Sequence, residues 1–205
     1  MRVYPKFILS ATAEAQFPAP QAPEIAFLGR SNVGKSSLIN SLLGSKQARV
    51  SSTPGRTRAI NFFAIADAPN RQQPRFVFAD LPGYGYAKIS KSISAEWPSF
   101  IEPYLAERSN LALSICLVDA NIPPQASDAQ LITFLQASKR HFLVVGTKAD
   151  RLSGNTRIKA RNLLRSGLGV EDLLLVSANT GFGMKELWNA IAAAADGQPS
   201  ETAKS

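Results

Sequence analysis

Apolar positions along the chain keep two rhythms. Short, nearly continuous apolar runs recur at Glu24–Leu28, Phe76–Ala79, Leu113–Val118, His141–Gly146 and Leu173–Val176. Runs of four to six residues bounded by polar or glycine-rich segments predict strands buried on both faces. Between them the apolar residues fall three and four apart, which predicts helices over Ser37–Leu43, Ala95–Arg108, Ala126–Ala137, Thr156–Arg165 and Met184–Ala195. In Ala95–Arg108 the stripe is Trp97, Phe100, Ile101, Tyr104 and Leu105, an ordinary core-facing pattern. Ile60–Ala66 reads as one more strand. Only the polar segment 67–74 separates it from Arg75–Asp80, too few residues for a helical crossover, so this pair is expected to be antiparallel. Strands alternating with helices imply an α/β fold. The expectation is a doubly wound, mostly parallel six-stranded sheet flanked by helices, with one antiparallel strand and ligand at the carboxyl ends of the strands. The expected organisation is a proline-punctuated N-terminal arm over residues 1–23, a single domain over 24–196, and a small, polar, disordered tail over 197–205.

Composition narrows this picture. A chain of 205 residues, 45% of them hydrophobic, suits one domain with a substantial core. Cys116 is the single cysteine and sits inside an apolar run, which predicts a buried strand residue and excludes an internal disulfide. The one histidine, His141, opens a strand and reads as a surface or structural residue. No long apolar segment follows the basic N-terminal residues, and no apolar run is long enough to span a bilayer. A cytoplasmic protein without membrane contact is expected. The net charge of +8 calls for an anionic partner. Arg157, Arg161 and Arg165 fall four apart on a predicted helix and so share a face, while Lys46, Arg49, Lys88 and Lys91 lie on or beside loops. Nucleic acid is the partner this charge suits, and a merely solvated basic face is the alternative.

Chemistry enters between the first apolar run and the first helix. Gly29-Arg30-Ser31-Asn32-Val33-Gly34-Lys35-Ser36 reads G-x-x-x-x-G-K-S, set between a strand and a helix. Glycines let the backbone turn so that its N–H groups face phosphate oxygens, and the helix N-terminus adds partial positive charge. Lys35 suits a β,γ-phosphate contact and the Ser36 hydroxyl suits magnesium. Asp80-Leu81-Pro82-Gly83 closes a strand, where Asp80 can hold magnesium through water and the Gly83 N–H can meet a γ-phosphate. Thr147-Lys148-Ala149-Asp150 closes another. The Asp150 carboxylate can accept from the N1–H and exocyclic amine of guanine, a donor pair that adenine lacks, while the Lys148 stem lies along the base. Val176-Ser177-Ala178 ends the last strand, where a backbone N–H can donate to guanine O6.

Taken with Ser51-Ser52-Thr53-Pro54-Gly55-Arg56-Thr57-Arg58-Ala59 and Asp80-Leu81-Pro82-Gly83-Tyr84-Gly85-Tyr86, the chain resembles the Era-like GTPases. Within them it is similar to the EngB (YihA/YsxC) family from Phe7 to about Ala195. The resemblance implies a GTPase that cleaves GTP to GDP and phosphate, acts as a switch in large ribosomal subunit assembly, and is needed for division and septation. It implies Lys35, Thr57 and Gly83 as catalytic residues and Mg2+ held by Ser36 and Thr57. Nucleotide contacts extend to Gly55, Arg56, Arg58, Ala59, Leu81 and Pro82. The implied partners are the large-subunit precursor and its rRNA, with the protein expected as a monomer. Several relatives use an asparagine at the position of Asn32 to ligate potassium; a loop-capping role for Asn32 is the alternative.

Two positions depart from the common GTPase pattern. Thr147 replaces an asparagine, so the tie between base loop and phosphate loop is expected to be looser, since a hydroxyl carries one donor where an amide carries two. Tyr84 replaces the glutamine that orients water in Ras-like enzymes, so intrinsic hydrolysis is expected to be slow. Tyr84 and Tyr86 are read as aromatic cover over a switch loop. Two other functions remain open: a nucleotide-gated RNA-binding module with negligible turnover, and a division regulator acting through protein partners.

Overall fold

The computed structural model describes residues 2–45, 59–69, 71, 73–84 and 99–197. Its strands are β1 (Tyr4–Ala11), β2 (Glu24–Gly29), β3 (Ile60–Ala66), β4 (Phe76–Asp80), β5 (Leu111–Asp119), β6 (Phe142–Thr147) and β7 (Leu173–Leu175). The helices are α1 (Lys35–Leu43), α2 (Ile101–Glu107), α3 (Ala126–Ala137), α4 (Gly154–Leu168) and α5 (Met184–Ala195). The strands form one sheet in the order β1-β3-β4-β2-β5-β6-β7. β2 pairs in parallel with β4 and β5, β5 with β6, and β6 with β7, whereas β3 is antiparallel to both neighbours.

The buried strands explain the continuous apolar runs. Along β2, Ile25 and Phe27 face a cluster with Leu38 and Ile39 of α1 and Leu187 and Ile191 of α5. Ala26 and Leu28 face the opposite cluster, with Ile101 and Leu105 of α2, Leu131 and Leu135 of α3, and Leu164 of α4. Period-two alternation thus sends successive residues to two separate cores, and neither face of the strand can be polar. The chain leaves β2 toward β4 on one side and returns to β5 on the other. The end of β2 is therefore the switch point of a doubly wound sheet, where ligands bind.

Among the described residues seven strands form where six were expected. The additional one is β1, inside the proline-punctuated N-terminal segment. It pairs antiparallel with β3 along the sheet edge, with a bulge between Phe7 and Leu9. Pro5 is compatible with an edge strand, where a missing N–H breaks no central ladder. Phe7 packs edge-to-face on Phe63 of β3, with ring centroids 5.6 Å apart. Ala11 and Ala22 of this segment lie in the α2–α4 core, and Phe17 packs against it. Helix bounds shift modestly. α4 is longer at both ends than Thr156–Arg165 and closes on Gly169 in the left-handed region. The first part of the helix predicted from Ala95 lies outside the described residues, as does Trp97. Cys116 is buried in β5, and burial raises its thiol pKa; His141 is exposed just before β6.

Candidate functional site

The carboxyl ends of β2, β4, β5, β6 and β7 converge on one edge of the sheet, and the groups predicted at the ends of β2, β4, β6 and β7 arrive there together. The loop Arg30–Gly34 leaves β2 and turns directly into α1. Gly34 caps α1 with φ +104°, a conformation that a side-chain-bearing residue adopts only with strain. Asn32 is also left-handed, at φ +63°, and its side chain is exposed. Lys35 and Ser36 occupy the first turn of α1, both half-buried. The Lys35 ammonium forms an ion pair with Asp80 at the end of β4. Magnesium prefers hard oxygen ligands, and the Ser36 hydroxyl with the Asp80 carboxylate supplies that chemistry beside the helix N-terminus.

After Asp80 the chain runs against the phosphate loop. The Ser31 N–H donates to the Tyr84 carbonyl at 3.0 Å, and the Tyr84 N–H to the Gly29 carbonyl at 3.4 Å, so Arg30 and Tyr84 form a parallel bridge. Gly83 lies between them, and a Cβ there would stand 2.9 Å from Ser31 Oγ and 3.3 Å from its backbone nitrogen. A side chain there would press on Ser31, so glycine suits this close approach of the two loops.

The base-reading loop docks on the same structure. Thr147 is buried, and its hydroxyl reaches the Val33 carbonyl at 2.5 Å and the Val118 carbonyl at 3.1 Å. One proton serves two acceptors, as its single donor requires. The expected slackness is offset by Lys148, whose ammonium donates to the Asn32 carbonyl at 2.8 Å and pairs with Asp119 at 2.7 Å. Asp150 is held from both sides: Ser177 Oγ donates to Oδ1 at 2.7 Å and Asn179 Nδ2 to Oδ2 at 3.3 Å. The Ser177 hydrogen bond, with help from Asn179 and the charge of Arg151, keeps the carboxyl below the usual carboxylate range. Ala149 is buried and its N–H donates to Val176, which locks this loop to the end of the last strand. The Ser177 N–H is committed to Phe182.

With this geometry in hand, a family model described as "50S ribosome-binding GTPase" matches residues 24–148. A relative from Acidobacterium capsulatum named "Probable GTP-binding protein EngB" is 72% identical over 191 residues, covering 93% of this chain and 90% of the relative. The protein of the same name from Koribacter versatilis is 54% identical, covering 95% and 96%. The chain belongs to the EngB family of GTP-binding proteins. A crystal structure of a "probable GTP-binding protein engB" superposes with a TM-score of 0.63 at 23% identity, over 85% of this chain and 99% of the other. Era bound to MgGDPNP and a segment of 16S ribosomal RNA superposes at 0.66 and 23% identity, over 84% of this chain and 56% of Era. Both likenesses support the P-loop GTPase fold.

Within this EngB chain the structure alters some readings. Tyr84 is a core residue, 1% exposed and packed in the α2–α4 cluster, and does not cover the site. The arginine stripe on α4 is divided: Arg157 donates to the Ala149 carbonyl at 2.9 Å and stacks over Phe182, buttressing the base loop, while Arg161 is exposed. Gly55, Arg56, Thr57, Arg58, Lys46, Arg49, Tyr86, Lys88 and Lys91 lie outside the described residues. Asp119, Asn121 and Asn179 join the site although sequence reasoning missed them. Asn121 donates to Asp119 at 2.9 Å and to the Lys148 carbonyl at 3.2 Å. Burial pushes the Asp119 carboxyl up, but hydrogen bonds from Lys148 and Asn121 outweigh it and hold it below its ordinary range. A carboxylate closing an apolar strand was the available signal for Asp119, the same signal that marks Asp80. Asn179 directly follows Ser177-Ala178.

Proposed function

We propose that the protein binds Mg2+ and GTP at this edge and hydrolyses GTP to GDP and phosphate at a slow intrinsic rate. The observation that carries the reading is the convergence of three separate chain segments, Gly29–Ser36, Asp80–Gly83 and Thr147–Asp150, at the switch point of one sheet. Backbone N–H groups of Arg30–Lys35 wrap the phosphates, Lys35 moves from Asp80 to a β,γ-oxygen, and the Gly83 N–H meets the γ-phosphate. Ser36 and Thr57 would hold magnesium, assisted by Asp80, and the ion would neutralise charge on the phosphate oxygens. Asp150 reads guanine, and the Ala178 N–H meets O6. Val33, Leu81, Pro82 and Val176 hold these groups in register.

Guanine selectivity is the decisive test. GTP should outcompete ATP in equilibrium binding by at least about a hundredfold, because adenine leaves both Asp150 oxygens without their donors. Asp150→Asn should turn that preference toward XTP. Equal binding of ATP and GTP by the unmutated protein would overturn the assignment. The burial of Tyr84, which keeps its side chain from orienting water, supports the slow rate. Potassium at Asn32 is the proposed substitute, with single-turnover hydrolysis faster in potassium than in sodium and Asn32→Ala abolishing the difference. Identical rates in both salts reject it. The proposed setting is the cytoplasm, with the monomer cycling on the large ribosomal subunit precursor and its rRNA. The requirement in division and septation would follow from that role.

A further inference from the structure

Asp128 is a carboxylate that the nucleotide chemistry does not use. It lies in the first turn of α3, is 3% exposed, and accepts the Tyr84 hydroxyl at 3.0 Å. Burying a carboxylate is costly unless donors hold it, and burial raises this one to a pKa of about 6 in spite of the Tyr84 hydrogen bond and the charge of Arg30. Among the described residues Cys116 is a further titratable neighbour. The other end of Tyr84 is no ordinary core position. Its carbonyl and N–H are both bonded to the phosphate loop, one residue beyond Gly83, which is pressed on Ser31. The ring, the hydroxyl and the backbone of Tyr84 thus span from α3 to the loop that holds nucleotide.

We propose that Asp128 is a positioning residue for GTP: through the Tyr84 hydroxyl it fixes the height of the Gly83 N–H over the phosphate loop, and so sets how strongly the site distinguishes GTP from GDP. The inference rests on the GTP-binding reading above. GDP has no γ-phosphate for Gly83 to meet, so a displaced Gly83 penalises GTP alone. Glutamine-type water positioning plays no part in it. The task of Tyr84 is to hold the motif from behind.

The test is a comparison of GDP with a non-hydrolysable GTP analogue on the full chain. Tyr84→Phe keeps the ring in the core and removes the hydroxyl. Affinity for the analogue should fall about tenfold and GDP affinity by less than about twofold, since one hydrogen bond to a charged group is lost. Single-turnover hydrolysis should fall by a similar factor. Asp128→Asn keeps an acceptor oxygen for the hydroxyl and should restore the analogue-to-GDP ratio to near wild type, whereas Asp128→Ala should not. Tyr84→Phe takes one donor from a buried charge that Arg30 and the Gln125 backbone still face, so the Tyr84→Phe, Asp128→Asn double variant removes that cost and should still show the lowered ratio. Equal losses for GDP and analogue, or an unchanged ratio in Tyr84→Phe, would overturn the proposal. A wild-type protein that binds neither guanine nucleotide would instead overturn the reading beneath it.

Discussion

Asp128 and Asp150 are two carboxylates in one molecule whose surroundings drive their pKa values apart. Asp150 is lowered by donors from Ser177 and Asn179 at the surface, so it keeps its charge, and its role as an acceptor, to lower pH than an ordinary carboxylate. Asp128 is raised to about 6 by burial. A raised carboxyl takes up a proton in the folded chain before the unfolded one does. Its favourable contribution is therefore complete at acid pH and is lost as pH rises through about 6. Between about pH 7 and about pH 5 this group alone should add about 1 kcal/mol to the stability of the wild type relative to Asp128→Asn. Urea unfolding of both proteins at the two pH values measures it; a wild-type–variant difference that stays constant with pH would show that Asp128 titrates as an ordinary carboxylate. Among the described residues the facing groups are Tyr84, Arg30 and Cys116, and of these Tyr84 and Cys116 are pushed far above this range, so neither confuses the reading.

At the scale of elements, β1 closes the outer edge of the sheet. It covers β3 along its whole length and contributes Phe7 against Phe63 and Ala11 to the core. The N-terminal segment is tied in further on. Phe17 packs edge-to-face on Tyr104 at 5.4 Å, and Arg108, which is bonded to the Pro18 carbonyl and paired with buried Glu24 at 2.6 Å, lies over the Phe17 ring. Deleting residues 2–11 uncovers the backbone edge of β3 and the apolar side chains next to it. Such an edge pairs readily with another chain. The truncated protein should melt several degrees lower and elute partly as aggregate, while any correctly folded fraction keeps GDP affinity, since β1 pairs with β3 at the sheet edge, away from the phosphate loop after β2. Unchanged melting and a single monomeric peak would show that β1 adds nothing to the sheet.

At the scale of the whole molecule, net charge and nucleotide act together. A chain of +8 should be drawn to a polyanion by a force that falls with salt, and a nucleotide switch should gate it. Co-sedimentation with large ribosomal subunits should be stronger with a GTP analogue than with GDP and should fall steeply between low and physiological salt. Arg161→Glu, on the exposed part of α4, should weaken pelleting in both nucleotide states without altering GDP affinity. Equal pelleting under both nucleotides would favour an RNA-binding module without switching, and none at any salt would favour protein partners.

Much of this was legible in the residues themselves. Gly29, Gly34 and Lys35 carry their chemistry in type and spacing, because a phosphate loop is a local object built within eight consecutive residues, and Asp80, Gly83 and Asp150 are marked by short motifs that each close an apolar strand. The bounds of α3 and α5 and the antiparallel β3–β4 pair also followed from apolar period and connection length alone. The strand of residues 4–11 did not: an edge strand has one neighbour and one covered face, so its pattern is weak, and prolines nearby read as punctuation. Nor did the place of Tyr84. Beside Gly83 in sequence it looks like part of a switch loop, and only the packing of α3 across the sheet turns its ring inward. Asp128 is the plainest case. An aspartate in the first turn of a helix is ordinary at the surface. That this one is buried against a tyrosine 44 residues away is decided by the tertiary structure, because no local rule links two residues that meet only when the sheet is wound.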